Sequence, residues 1–289
     1  MFDNTQSAET FTDFPVLIKL NALNIDYTKT KDQGEDIRFI ADDELTELDY
    51  EIDEWDETGD SIAWVKLPLL TAGSDPVGDP DNADYIWMYY GNPNAGDNSL
   101  PAAVWNNDYS AVWHMKEKKI IDSTGRQPKG KKGKLLTPGY FGTAHDFRGK
   151  PNKEWINVNP FNDLDHTGIT ISTWVQLQGV AQYYLGIVSI AGKITLHVRG
   201  TDNPGYYPDE IEKLIWSHHR HPYTKLVSDD KMTAGTSWYY LTAVIDPELT
   251  SNRMRLYIDG VQQAETGEVF YYTPGAQRLV IGSYATRRP

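Results

Sequence analysis

The residues best suited to catalysis are carboxylates on one predicted strand, Leu48–Trp55. Glu51 and Asp53 are separated by one residue, so strand alternation places both side chains on one face. Two carboxylates flanking a glycosidic bond can hydrolyse it, one as nucleophile and the other as acid and base. A catalytic strand of this kind carries a third carboxylate, a Glu that lies two or three residues after the Asp. Those two positions are occupied here by Trp55 and Asp56, so the Glu is missing. We therefore interpret the run as a charged strand face and predict no enzyme activity, with polysaccharide hydrolysis as the alternative.

A segment rich in aromatic and polar residues, 200–223, is the best candidate for a ligand-binding loop. Long loops in compact domains are usually functional or disordered. A sugar site needs flat apolar surface, which Tyr and Trp rings supply, and a few placed polar groups. The predicted ligand contacts are Asn203, Tyr206, Tyr207, Trp216, His218, His219 and Tyr223. Two alternatives stay open: packing of the rings onto a sheet, and a transition-metal site at His219 and His221.

Charge is divided unevenly along the 289 residues, whose net charge is −14. Residues 1–105 hold 5 Lys and Arg against 23 Asp and Glu, a net charge of −18, whereas 106–289 hold 22 against 18, a net charge of +4. This step predicts two domains, 1–105 and 106–289, and the acidic first half argues against a nucleic-acid partner. The chain has no cysteine, which excludes disulfides, thiolate metal sites and a cysteine nucleophile.

Short apolar runs separated by Gly, Pro, Asn and Asp predict strands throughout the chain. The long uncharged stretch 169–192 begins with alternating apolar and polar residues, which predicts two strands and no membrane insertion. Asp259 and Gly260 predict a two-residue hairpin, because both tolerate a positive φ. Residues 208–215 are predicted to form about two helical turns. Many strands without alternating helices indicate an all-β chain of the sandwich or jelly-roll type.

A first series of motifs resembles a small β domain of uncharacterised function. This domain is found in large bacterial surface proteins and in the extracytoplasmic part of extended ExbB/TolQ-type biopolymer transporters. The motifs that carry the resemblance are Phe14–Leu20, Gly34–Phe39, Leu48–Ile52, Ile62–Pro68 and Ile86–Pro93.

A second series of motifs resembles a laminin-G-like, concanavalin A-like jelly roll. Its motifs are Val112–Met115, Asp122–Gly125, Gly142–Gly149, Ile169–Val175, Trp238–Ile245, Leu256–Val261 and Leu279–Gly282. Together the two resemblances imply an all-β chain, with a small β-sandwich domain followed by a concanavalin A-like (laminin-G-like) jelly roll.

The second resemblance also implies a glycan- or protein-binding module that is often stabilised by calcium. Calcium in such jelly rolls lies near an Asp-Ser-x-Gly turn and a Gly-x-Ala-x-x-Phe strand, which implies Asp122 and Asp146 as calcium ligands. Asp122 has the alternative of bonding its own turn, since Asp favours turns for local hydrogen-bonding reasons.

The function expected is non-catalytic, lectin-like carbohydrate binding by an adhesion segment of a larger bacterial surface protein. The expected partner is a glycan or cell-surface polysaccharide, with a protein ligand as the alternative. The expected location is extracellular or at the cell surface, with the periplasm as the alternative. Two other functions stay open: a structural or sensing extracytoplasmic region of an ExbB/TolQ-like transport protein, and a polysaccharide-degrading glycoside hydrolase.

Overall fold

The computed structural model describes residues 1–106, 108–116, 120–130, 136–147, 155–162, 168–179, 184–190, 194–201, 207–218, 224–268 and 277–283. Contacts between residues divide the chain into two compact units. The first unit comprises Met1–His114 and Asp122–Gly125, and the second comprises Met115–Ile121 and Arg126–Pro289. Residues 106–114 therefore group with the first unit, and the domain division near residue 105 stays a prediction.

The first unit is built from two small antiparallel sheets. Its strands, and one short helix that follows them, are β1 (Phe11–Leu20), β2 (Arg38–Ile40), β3 (Tyr50–Glu54), β4 (Ser61–Leu70), β5 (Trp87–Tyr89) and α1 (Pro101–Val104). One sheet has the order β1-β4-β3, and the other pairs β2 with β5. The core lies between them, where Tyr50 and Val65 are fully buried and Phe39 is 1% exposed. Strand alternation explains how each strand supplies one apolar face to this core.

The second unit contains the remaining strands. They are β6 (Leu136–Pro138), β7 (Thr143–His145), β8 (Ile156–Phe161), β9 (Ile169–Gln176), β10 (Tyr184–Ile190), β11 (Ile194–Arg199), β12 (Lys213–His218), β13 (Thr224–Lys231), β14 (Trp238–Ile245), β15 (Met254–Ile258), β16 (Val261–Thr266) and β17 (Gln277–Ile281). A six-stranded sheet has the order β13-β12-β11-β10-β17-β8, and a four-stranded sheet has the order β16-β15-β14-β9. The strands β6 and β7 form a separate hairpin.

The predicted all-β, jelly-roll class is confirmed by these sheets. The predicted Asp259-Gly260 hairpin is also confirmed, because β15 and β16 pair antiparallel on either side of it and its φ angles are 51° and 78°. Within the described ranges no helix has the length and apolar character needed to cross a membrane.

The helix predicted over 208–215 is wrong. Only Pro208–Glu210 form a single 3₁₀ turn, and the chain then enters β12 at Lys213. Glu212 adopts a φ of 64°, donates its N–H to the Arg199 carbonyl and accepts from the Met232 N–H. Leu214 and Ile215, which would share one face of a helix, are instead strand residues of β12. Pairing with neighbouring strands therefore overrides the local pattern.

Candidate functional site

The strand carboxylates of the first unit lie in a buried cluster around one histidine. Glu51 Oε2 accepts a hydrogen bond from Trp105 Nε1 at 2.6 Å and lies 3.0 Å from His114 Nε2. The other oxygen, Oε1, accepts from Ser123 Oγ at 2.7 Å. Asp53 Oδ2 lies 3.2 Å from His114 Nδ1, so one imidazole bridges both carboxylates. The prediction that Glu51 and Asp53 share one face is therefore confirmed.

Glu51 is held as a carboxylate by this environment. Burial raises the pKa of Glu51, but the hydrogen bond and charge of His114, together with hydrogen bonds from Ser123 and Trp105, hold that pKa below its ordinary value. The Trp64 ring stacks on the imidazole at 6.0 Å and meets the Trp105 ring edge-on at 5.1 Å. Since protein side chains contact both Glu51 oxygens, the cluster fastens the segment that follows α1 onto β3.

The predicted ligand loop is described in part. Asn203, Tyr206, His219 and Tyr223 lie outside the described residues. His218 ends β12, where its backbone pairs with Ile194 and Thr224.

Tyr207 is the predicted ligand residue that the structure places at a surface, with 47% of its area exposed. The Arg199 guanidinium carbon lies 5.2 Å and the Lys225 ammonium 4.7 Å from the centre of the Tyr207 ring. Lys225 is also paired with Glu210. The ring is therefore set in a group of cation–π contacts with side chains of β11 and β13.

The structure corrects the ligand role predicted for Trp216. Its side chain is fully buried, and it pairs with Leu196 and Leu226, which are also core residues. The next residue, Ser217, points to the opposite face, where its Oγ lies 3.0 Å from Thr195 Oγ1. Successive strand residues alternate between faces, and both faces of β12 are buried at this point, so the Trp216 ring cannot stack on a sugar from solvent.

The two predicted calcium ligands fall in different units. Asp122 belongs to the first unit, where Oδ1 accepts from the Val112 N–H at 2.8 Å and Oδ2 accepts from Thr124 Oγ1 at 2.5 Å. These bonds match the turn-bonding alternative for Asp122. Asp146 belongs to the second unit and is partly buried. Across the described ranges, no group of three His, Asp or Glu side chains is placed to hold a metal ion, and calcium stays a prediction.

A cluster of aromatic rings that sequence analysis missed lies on the outer side of the four-stranded sheet. Trp174 on β9 pairs directly with Tyr240 on β14, and their rings lie 5.1 Å apart. The Tyr140 ring stacks on Trp174 at 3.7 Å and 9°, and Phe141 meets Trp174 edge-on at 6.0 Å. Tyr140 is 49% exposed, Phe141 37% and Tyr240 36%. We call these four residues the Trp174 surface.

The β6–β7 hairpin brings two of these rings into place. Tyr140 and Phe141 form its tip, which is closed by a hydrogen bond from the Gly139 N–H to the Gly142 carbonyl at 2.8 Å. A side chain at Gly139 would meet the Phe141 carbonyl oxygen at 2.7 Å, so this position requires glycine. A closed two-residue tip presents adjacent rings on one side.

Part of the Trp174 surface was detectable in the sequence. Trp238 and Tyr240 share a face of the predicted strand 238–245, opposite the core residues Leu241 and Ala243. An aromatic pair on the outward face of a strand is a signal of recognition. The pairing of β14 with β9 and the stacking of Tyr140 depend on long-range contacts, which no local pattern encodes.

Comparison with known families assigns both parts of the chain. Residues 150–288 match the family described as "Concanavalin A-like lectin/glucanases superfamily". Residues 33–110 match "Domain of unknown function (DUF2341)", so a match to the DUF2341 domain precedes the match to the concanavalin A-like superfamily. The resemblances found for the two halves are confirmed to this extent.

Comparison with individual proteins adds little. A search of curated proteins found no match. Among solved structures, the chain is similar to "Botulinum Neurotoxin Type G Receptor Binding Domain" with 14% identity and a TM-score of 0.40. The alignment covers 61% of this chain and 44% of that chain, so this chain spans under half the length of that structure. A likeness at this level supports no argument about function.

Proposed function

We propose that this chain is a non-catalytic, lectin-like carbohydrate-binding segment of a larger bacterial surface protein, located outside the cell. The observation that carries the proposal is the Trp174 surface, where three rings are each more than a third exposed. Exposed aromatic faces cost free energy in water, and contiguous patches of them usually mark interaction sites. The concanavalin A-like fold is one that includes lectins as well as glucanases.

The polar groups around these rings suit a sugar. The outward positions of β9 and β14 carry rings, hydroxyls, an amide and one aliphatic side chain. They are Thr170, Ser172, Trp174, Gln176, Trp238, Tyr240, Thr242 and Val244. None of these eight side chains is charged, and Arg255, which lies opposite Val244 on the same face, is 3.7 Å from the Asp246 carboxylate. The part of the face formed by β9 and β14 is therefore matched to an uncharged glycan. Sugar sites combine apolar surface with a small number of placed polar groups in this way.

A glycan array with calcium present tests the proposal. We expect binding to at least one neutral glycan, and we expect the double substitution Tyr140→Ala, Tyr240→Ala to weaken it about tenfold or more. Val261→Ala is the matched control, because Val261 is 61% exposed on β16 of the same sheet. An array without binding, or binding that the double variant retains, contradicts carbohydrate recognition by this surface.

Calcium stabilisation is the second part of the proposal. A bound ion raises the melting temperature because it binds the folded state only. We expect EDTA to lower the melting temperature and Asp146→Asn to abolish that effect. An unchanged melting temperature in EDTA contradicts a calcium site.

A further inference from the structure

A second row of exposed rings lies on the first unit. Along 85–90, side chains alternate between solvent and core: Tyr85 is 37% exposed, Trp87 41% and Tyr89 52%. Ile86, Met88 and Tyr90 point the other way and pack on the core cluster of the unit. The alternation is that of an extended strand, so three consecutive outward positions are all aromatic. We call Tyr85, Trp87 and Tyr89 the β5 ladder.

The rings of the β5 ladder are arranged in a line. Tyr85 and Trp87 meet edge to face at 5.7 Å. Alternate residues of an extended strand are about 7 Å apart, so three rings cover about 14 Å. A single sugar covers only part of that length, whereas an extended oligosaccharide covers all of it. The polar ring atoms, two hydroxyls and one indole N–H, bond to no other described residue and remain available to a ligand.

The charged side chain next to the β5 ladder is already paired within the protein. Arg38 lies opposite Tyr89 in the β2–β5 pair, and its guanidinium binds the Glu47 carboxylate at 3.1 Å and the Gly96 carbonyl at 2.7 Å. Ile40 lies opposite Trp87 and is apolar. On the β2 side the ladder is therefore bordered by a neutralised ion pair and an aliphatic side chain, and neither offers an unpaired cation to an acidic ligand.

We propose that the β5 ladder is a second, separate binding site, and that its ligand is an extended, uncharged polysaccharide chain. The net charge of −18 over 1–105 repels uronic-acid and sulfated polysaccharides. The row of exposed rings, with its hydroxyl and indole groups, provides the apolar surface and the few polar groups that a sugar chain requires. An extended peptide would need the strand edge as well, and β5 offers only three residues of it. The site lies on another unit than the Trp174 surface and does not depend on that proposal.

Affinity electrophoresis of the full chain tests the β5 ladder. The probes are native gels that contain hydroxyethyl cellulose, mixed-linkage β-glucan or dextran, with polygalacturonate as the acidic comparison. We expect retardation by at least one neutral polysaccharide and none by polygalacturonate. The double substitution Trp87→Ala, Tyr89→Ala is expected to weaken that retardation at least about tenfold, as loss of a central aromatic contact does in other interfaces.

Control variants distinguish a loss of binding at the β5 ladder from unfolding and from binding at the Trp174 surface. Leu23→Ala and Leu45→Ala remove side chains that are 96% and 86% exposed on the same unit, and both should retain full retardation. Trp87→Phe keeps a ring and should retain most of it. The ladder variants are compared in the Tyr140→Ala, Tyr240→Ala background, so binding by the Trp174 surface cannot mask the ladder result. The proposal is overturned if no neutral gel retards that background protein, if adding the double ladder substitution leaves its retardation unchanged, or if the ladder proves to bind only polygalacturonate or a peptide.

Discussion

The two aromatic surfaces of this chain are built in different ways. In the β5 ladder, three rings project side by side from a single extended segment, and one ring contact is made among them, between Tyr85 and Trp87. In the Trp174 surface, rings from β9, β14 and a hairpin tip stack on one another, with Trp174 in contact with all three others. The cluster therefore uses more of its ring area to hold itself together than the ladder does.

Because of this difference, substitutions on the two surfaces should affect stability and ligand binding to different degrees. Ring pairs contribute about 0.5–1.5 kcal/mol each beyond the area they bury. A residue such as Trp174 is therefore both a packing residue and a surface residue, and its loss affects both. A residue such as Trp87 makes one ring contact and contributes less to folding, so a change there reports mainly on binding. Four substitutions test this view.

The largest loss of stability is expected for the fully buried Trp216. Trp216→Ala should lower the free energy of unfolding by about 4 kcal/mol, because a wholly buried ring leaves a large cavity. Urea unfolding of the full chain measures it. A loss of glycan binding without a loss of stability would restore the ligand role first predicted for Trp216.

The buried carboxylate of the first unit comes next. Glu51→Ala should lower the free energy of unfolding by about 3 kcal/mol, since it leaves His114 beside Asp53 alone and removes the acceptor of Trp105 and Ser123. Because the folded-state pKa of Glu51 is below its ordinary 4.5, its contribution is complete above that pH and is lost as pH falls through the lowered value. Acid unfolding of the two proteins should therefore converge at low pH, and parallel curves would contradict the pKa direction.

Trp174 should lie between the buried and the exposed residues. Trp174→Ala should lower the free energy of unfolding by about 2 kcal/mol, because three ring contacts and partial burial are lost. Binding of neutral glycans should fall in the same variant. Trp174→Phe, which retains part of the stack, should recover some stability, and equal loss in both variants would contradict a role for ring stacking.

The ladder residue Trp87 should give the smallest change in stability. Trp87→Ala should lower the free energy of unfolding by about 1 kcal/mol, because the residue is 41% exposed and only its ring contact with Tyr85 is lost. Differential scanning calorimetry against Leu45→Ala provides the comparison. A cost similar to that of Trp174→Ala would show that the ladder rings pack as the cluster does and would remove the distinction between the two surfaces.

The sequence was sufficient to predict most of the strands, but it indicated a helix over 208–215 that is absent and did not reveal the side on which every residue lies. Period-two patterns located most strands, including the two that make up 169–190, and the shared face of Glu51 and Asp53. Trp216 was misassigned because its apolar and polar neighbours gave no clear alternation, and only its pairing with Leu196 reveals the buried side. The ring stack on Trp174 joins residues far apart in the chain, and such contacts follow from topology rather than from local pattern.

The bonds to Glu51 bear on how this pair of domains can be inherited. Its partners His114 and Ser123 lie beyond the residues 33–110 that match the DUF2341 family. Moreover, 115–121 group with the second unit while 122–125 return to the first, so the two units alternate along the chain. A recombination event at any single point in 111–122 would leave the buried carboxylate without Ser123 as a donor. Exchange between genes that preserves these bonds should therefore move the first domain together with the chain as far as Gly125.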